Sequence, residues 1–196
     1  MVTMLTTHTT TFPVLSTERL TLRQLTQDDS QEVFRLLTDA DVNKYYGRLR
    51  AASFEEACTY IQYINVGISK NKVFYWGICL HEESKIAGTI CLWNLRKEEG
   101  IIEVGYELLP EYQRKGIMQE VLPAITGFAF DVLGYKKIEA WPSDDNQRSI
   151  HLLEKIGFRR DTEAESQIDW SKEAQFYREN EESKKIVTAI YSLYKK

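Results

Sequence analysis

Between Leu108 and Met118 the chain reads Leu-Leu-Pro-Glu-Tyr-Gln-Arg-Lys-Gly-Ile-Met, an apolar strand end that runs through a turn into a helical pattern. Such an order suits anion binding. The N–H groups of a helix's first turn lack intrahelical acceptors, and with the positive end of the helix dipole they can hold a pyrophosphate without dedicated side chains. Gly116 lets that backbone approach closely, while Arg114 and Lys115 add positive charge at the same place. An ordinary strand-to-helix connection carrying a solvated basic pair has the same composition, so both readings stand at this point. Neither G-x-G-x-x-G nor G-x-x-x-x-G-K-[ST] occurs, which removes support for dinucleotide and nucleoside triphosphate folds.

Other chemistry-bearing residues lie on either side of this stretch. A strand from Ile101 puts Glu103, Gly105 and Glu107 on one face and Ile102, Val104, Tyr106 and Leu108 on the other. Asn146 and Ser149 fall where a strand and loop give way to a helix, and there an amide or hydroxyl is ordinarily a cap. His8, His81 and His151 are isolated, with no H-x-x-x-H or paired-carboxylate spacing, so no metal is expected. Cys58, Cys79 and Cys91 show no C-x-x-C spacing and fall in a predicted helix and two predicted strands. Packing is the expected use of such thiols, and an acyl-cysteine mechanism is disfavoured. Trp76, Trp93 and Trp141 lie on strands and signify packing, although Trp141 closes its strand.

These residues need a scaffold, which the apolar periodicity supplies. Arg19–Arg23 alternates as a half-buried strand, Thr26-x-x-Asp29 caps a helix carrying Val33, Leu36 and Leu37, and Ser53-x-x-Glu56 caps another running to about Ile68. Residues 73–80, 86–95 and 101–109 are β-rich and separated by polar turns, so they form an antiparallel meander. Residues 117–133 read as a helix closed by Gly134, with a bend expected around Pro123, and 136–141 as the next strand, which makes the pair 101–109 and 136–141 parallel. A short helix over 149–156 ends at Gly157, and 158–168 and 186–194 are candidate last strands around a polar segment 171–185. The fold class is therefore α/β in the α+β sense. One domain spans 14–196, and the threonine-rich start, residues 1–13, is expected to be disordered.

Composition narrows the function. The 196 residues are 43% hydrophobic and 28% charged, enough apolar material for one core. A net charge of −4 argues against nucleic acid or anionic lipid as a partner, since either demands a basic excess, and it suits a cationic substrate. The odd cysteine count fits a reducing cytoplasm, and the first residues lack the basic start and apolar core of a signal peptide.

Gln113-Arg-Lys-Gly116-Ile-Met118 resembles the [Q/R]-x-x-G-x-[G/A] signature of the GNAT superfamily of N-acetyltransferases. Met118 replaces the small third residue, as in the branch similar to the RimJ/RimL ribosomal-protein acetyltransferases. The likeness continues through Ser16–Arg23, Glu103–Glu107 and Asn146–Phe158, covering roughly residues 15–160. It implies a GNAT fold, with a mixed, mostly antiparallel sheet splayed between its fourth and fifth strands and flanked by helices. It implies acetyl-CoA as cosubstrate, with the backbone near Leu108 and Leu109 pairing with the pantetheine arm. Gln113, Arg114, Lys115, Gly116, Ile117 and Met118 would then bind the coenzyme, the last five cradling its pyrophosphate.

Acetyl transfer to an amine needs a base, donors for the oxyanion and a proton for the departing thiolate. The resemblance assigns Glu103 as general base, against a solvent-facing strand glutamate, and Ser149 as proton donor, against a simple cap. Glu107 is taken as structural. Asn146 either caps the helix or binds the pantetheine arm. The acceptor suggested by the likeness is a protein N-terminal α-amine, and Asp161, Glu163, Glu165 and Asp169 offer an acidic stretch for a basic peptide. Polyamines and aminoglycosides are the alternative acceptors, and a catalytically silent acetyl-CoA-binding module is the alternative to an enzyme.

Overall fold

In the computed structural model, which describes residues 12–46, 50–168 and 188–195, the alternating segments become one eight-stranded sheet. The strands are β1 (Leu15–Ser16), β2 (Leu20–Arg23), β3 (Phe74–Leu80), β4 (Ile86–Arg96), β5 (Ile101–Leu108), β6 (Lys137–Ala140), β7 (Arg159–Arg160) and β8 (Tyr191–Tyr194). Their spatial order is β1-β2-β3-β4-β5-β6-β8-β7, antiparallel throughout except for β5 against β6. The expected meander and the expected parallel pair are both present. The two-residue β1 shifts the count by one, so the fourth and fifth strands of the sequence reading are β5 and β6.

Helices cover both faces of this sheet, and period two sorts the core between them. On one side α1 (Ser30–Thr38), the short α2 (Ala40–Asn43) and α3 (Phe54–Ser69) pack Val33, Leu36, Ala57 and Ile61 against Tyr75, Cys79 and Leu109. On the other, α4 (Ile117–Gly127) and α5 (Gln147–Ile156) pack Val121, Leu122, Ile125 and Leu153 against Trp76, Ile78, Leu92 and Ile138. Each fully buried Leu or Ile stabilises the fold by about 1.5–3 kcal/mol relative to exposure. Ser53 caps α3 by accepting from the Glu56 N–H at 3.4 Å. Glu56 reaches back to the N–H of Ala52, one residue earlier than an ideal capping box.

Three expectations need correction. The 117–133 helix runs through Pro123 as α4 but changes register at Phe128, where a π turn carries it to Val132 before Gly134 at φ +78°. Only Arg159–Arg160 of the 158–168 candidate is strand. Asp161 there accepts from the Ala164 N–H at 3.0 Å and starts α6 (Thr162–Gln167), whose polar run has no apolar alternation to hold a strand. In the 186–194 candidate the strand is Tyr191–Tyr194, preceded by an isolated bridge between Ser143 and Thr188. The polar 171–185 segment and residues 1–11 lie outside the described residues. Phe12 and Pro13 are placed, the Phe12 ring 5.3 Å from that of Trp76 and the Pro13 carbonyl accepting from the Trp76 indole at 2.8 Å.

Candidate active site

β5 and β6 pair only at Ile101/Lys137, Ile102/Ile138 and Glu103/Glu139. Beyond those pairs the sheet opens, and a cavity of about 1040 Å³ runs through it, lined by Val104, Tyr106, Glu107, Ala140, Trp141, Asn146 and Ser149 among others. A floor of charge closes the paired end. Arg96 bridges the buried carboxylates of Glu139 and Glu103, the latter at 3.6 Å, and Lys137 sits 2.8 Å from both Glu139 and Asp161.

The helix-start stretch stands on one side of this opening. Arg114 and Gly116 both have positive φ, +61° and +76°, so the chain turns sharply just before α4, with Gly116 as its N-cap. No side chain caps that end of α4. A methyl built on Gly116 would meet only Arg19 Nη2, at 3.6 Å, so the space in front of the turn is open for an anion. Met118 is buried in the core with Ile117, so neither side chain crowds the turn and both present only backbone there. Two cations that the linear motif did not reveal join the site through folding. Arg19 donates to the Lys115 carbonyl at 3.3 Å and pairs with Glu120, and Arg148 donates to Gln113 Oε1 at 3.3 Å.

Of the two leucines before this turn, Leu109 donates its N–H to Ala87 at 3.0 Å within the sheet. Backbone groups alternate along a strand, so the N–H and carbonyl of Leu108 and of Tyr106 are turned toward the opening. The Leu108 carbonyl accepts from Gln113 Nε2 at 3.1 Å and the Tyr106 carbonyl from the Tyr46 hydroxyl at 2.7 Å.

Asn146, not Ser149, caps α5, its side chain accepting from the Ser149 N–H at 3.2 Å. The Ser149 hydroxyl is instead 2.7 Å from the hydroxyl of Tyr106, a residue to which the sequence motifs give no role. Burial pushes the Tyr106 phenol up to about 12, with the Ser149 hydrogen bond acting in the opposite direction, so it remains a neutral donor at physiological pH.

Tyr106 and Ser149 occupy the α5 face of β5, and the glutamates occupy the α3 face. The alternative to a general base sets Glu103 in solvent, yet it is 3% exposed. The cause is a bulge in β4 between Trp93 and Arg96, with Asn94 at φ +44°, which folds the Asn94 amide onto the Glu103 carboxylate and brings Arg96 beside it. Glu107 is buried too and accepts from the Thr89 hydroxyl at 3.2 Å. Between them a methyl on Gly105 would meet Cys91 Sγ at 3.2 Å, so glycine keeps the strand close to its neighbour. Tyr45, Tyr60, Tyr63, Trp93 and Trp141 line the rest of this side, and the exposed Lys70 and Lys72 stand among its lining residues. The acidic stretch lies elsewhere. Asp161 is engaged by Lys137 and the Ser192 hydroxyl, Glu165 by Arg160, and Asp169 falls outside the described residues.

A split sheet with an anion-ready helix start on one face and a carboxylate-backed aromatic cavity on the other is the frame of a group-transfer enzyme with two substrates. Residues 19–159 match the family model described as an acetyltransferase (GNAT) domain. The chain belongs to the GNAT acetyltransferase family. An N-acetyltransferase of Bacillus subtilis, YoaA, is 34% identical over 150 residues, 76% of this chain and 85% of that protein. Among solved structures, ribosomal-protein-S5-alanine acetyltransferase from Vibrio fischeri superposes with a TM-score of 0.70 at 18% identity, over 93% of this chain and 96% of that one. Spermidine N-acetyltransferase from Vibrio cholerae, in complex with CoA and spermine, gives 0.65 at 22%, over 73% and 82%. At those identities the two structures speak for the fold. Within this acetyltransferase, no helix of the described residues is long and apolar enough to cross a membrane, and no group of three or more His, Cys, Asp or Glu there suits a metal.

Proposed function

We propose that the chain transfers the acetyl group of acetyl-CoA to a primary amine by direct attack across the β5–β6 opening, and that the amine is a peptide N-terminus. The observation that carries this is the placement of the two halves of the site. The helix-start turn with Arg19, Arg114, Lys115 and Arg148 gathers positive charge and unpaired N–H groups for a pyrophosphate on the α4 side. Aromatic rings and buried carboxylates, suited to an amine that arrives as a cation, lie on the α3 side. When bound, acetyl-CoA supplies the activated thioester. The residues around it hold its phosphates, present the Ser149 hydroxyl toward the opening and exclude water from the attack.

In this reading Ser149 gives its proton to the departing sulfur and regains one from the nitrogen as the amide forms, with Tyr106 fixing its rotamer through their 2.7 Å bond. An α-amine, with a pKa of about 7.7–8.0 against about 10.4 for lysine, is far more often neutral near pH 7 and demands less of its base. Lys70 and Lys72 on the lining of the cavity favour an acceptor that buries one amine and carries no train of positive charges behind it. Polyamines are the second reading, supported by the same carboxylates and rings. Thiol release from acetyl-CoA over a panel of peptides and small amines tests the proposal. Free-N-terminal peptides should outpace the same peptides blocked at the N-terminus but carrying lysine. Turnover of a polyamine with none of the free peptides would overturn the peptide assignment, and binding of acetyl-CoA without thiol release in the presence of any amine would favour a silent acetyl-CoA-binding module.

A further inference from the structure

Three hydroxyls connect the cavity wall to a buried carboxylate. Tyr60 Oη is 3.2 Å from Tyr75 Oη, Tyr75 Oη is 3.0 Å from Thr89 Oγ1, and Thr89 Oγ1 is 3.2 Å from Glu107 Oε1. The hydroxyls come from α3, β3 and β4 and the carboxylate from β5, and all four residues line the cavity. Elementary valence fixes their direction, because each hydroxyl owns one hydrogen. Thr89 spends its hydrogen on the carboxylate, so Tyr75 must donate to Thr89, and Tyr60 must then donate to Tyr75. The chain is polarised from the cavity toward Glu107.

The geometry points to Glu107 as the proton acceptor of the reaction, reached from the acceptor amine through Tyr60, Tyr75 and Thr89. This rests on the reading that an amine is acetylated in this opening. An incoming ammonium gives one proton to the Tyr60 oxygen while Tyr60 passes its own to Tyr75, Tyr75 to Thr89 and Thr89 to Glu107. The products are a neutral amine, three intact hydroxyls and a protonated Glu107, so charge and atoms balance. Reverse hops return the proton to water after the amide leaves. Tyr75 is 6% exposed, and burial, with Tyr60 and Glu107 nearby, pushes its phenol well above the usual range. It passes protons without resting as a phenolate. The Glu103 carboxylate instead faces the Asn94 amide and Arg96. Tyr60 is the half-buried member of the four and the other three are buried, so Tyr60 is placed to meet the amine and the other three act through it.

The test is the single-turnover rate of the acetyl-CoA-loaded protein mixed with a free-N-terminal peptide, measured in H2O/D2O mixtures. The near-isosteric variants Tyr75→Phe and Thr89→Val cut the chain in its middle, and Glu107→Gln removes its end. Each should lower the rate about 10²-fold or more, within the range for general acid–base catalysis, and leave acetyl-CoA affinity unchanged. Rate against deuterium fraction should bow for the unsubstituted protein, as several protons move together, and straighten in Tyr75→Phe. A packing defect would lower the melting temperature without changing that curvature. Variants that keep the rate, or keep the bowed dependence, overturn the chain while leaving the transferase reading intact. Absence of amine-dependent thiol release from the unsubstituted protein overturns both.

Discussion

The two sides of the β5–β6 opening are built from different material. In the proposed function the α4 side holds the coenzyme mainly through backbone, the turn at Arg114–Gly116, the first N–H groups of α4 and the strand edge at Tyr106 and Leu108, with Arg19 and Arg148 adding charge and Ser149 its hydroxyl. Contiguous residues supply most of them, and Ile117 and Met118 turn their side chains into the core. On the α3 side the working groups are side chains drawn from α3, β3, β4, β5 and the end of β6. A backbone site serves a ligand part that never varies, such as a pyrophosphate. The side-chain site can change with the acceptor while the sheet stays the same.

If that division holds, one substitution on the backbone side should abolish function through binding alone. Gly116→Glu sets a carboxylate at a position of φ +76° in front of the turn, adding bulk, backbone strain and like charge against phosphate. Acetyl-CoA at about 100 times its Kd should raise the stability of the unsubstituted protein by about 2.7 kcal/mol and that of the variant not at all. Retained affinity in a folded variant would break the comparison. Ser149→Ala comes next. It should lower kcat about 10²-fold while acetyl-CoA still stabilises the protein, because the hydroxyl is assigned to a step made in the transition state. Since Asn146 makes the cap, Asn146→Ala should instead cost about 1 kcal/mol of stability and spare most of kcat. The reverse pattern would return Ser149 to a structural role.

The same division explains how much was legible beforehand. Periodicity located the strands from Arg19 to Trp141, and the parallel pair followed from strand, helix, strand. The helix-start turn could be read because its residues adjoin in the chain. Tyr60 and Tyr75 could not, since each looks like an ordinary helix or strand aromatic until the register of β3 on β4 brings Tyr75 to Thr89. Arg19 and Arg148 reach the turn only through tertiary packing. The burial of Glu103 was not legible because alternation tells which face a residue takes and not what covers that face. Its cover comes from a β4 bulge that has no composition signature around Asn94. The last strands were overextended because an apolar residue at each end, Phe158 and Ile168, suggested a strand that the polar residues between them do not sustain.

A smaller effect probes the closed end of the opening, where both sides share a charge floor. Burial alone would raise Asp161 and Glu139 and lower Lys137, but Lys137 between the two carboxylates reverses all three directions, helped by the Ser192 hydroxyl at Asp161 and Arg96 at Glu139. Depressed carboxylates stabilise above their unfolded values, near 4, and the gain is lost as pH falls through their lower folded values. The raised lysine stabilises below about 10.4 and loses its contribution only at still higher pH. Lys137→Met should therefore cost about 2 kcal/mol at pH 7 in urea unfolding, and the difference from the unsubstituted protein should shrink below about pH 4. Equal stability at pH 7 would show that Arg96 and the hydroxyl partners suffice.

The smallest expected effect bears on the acceptor, through the two lysines on the cavity lining. Lys70 and Lys72 are exposed, so each acts across water and its influence is modest and screened. For an acceptor with one buried amine and a neutral body their charge matters little. For spermidine it matters more, because the amines left outside the aromatic pocket would lie near both lysines. The double variant Lys70→Glu with Lys72→Glu should raise kcat/KM for spermidine about 3–10-fold at low salt and change that for a neutral-flanked peptide by less than about twofold. At 1 M salt, where the screening length is about 3 Å, the gain should vanish. A gain that survives high salt would mean that the substitutions reshaped the pocket and did not act by charge. No gain at all would mean that the polyamine enters by another path, and the selection ascribed to the two lysines would be wrong while the division between backbone and side-chain sides would stand.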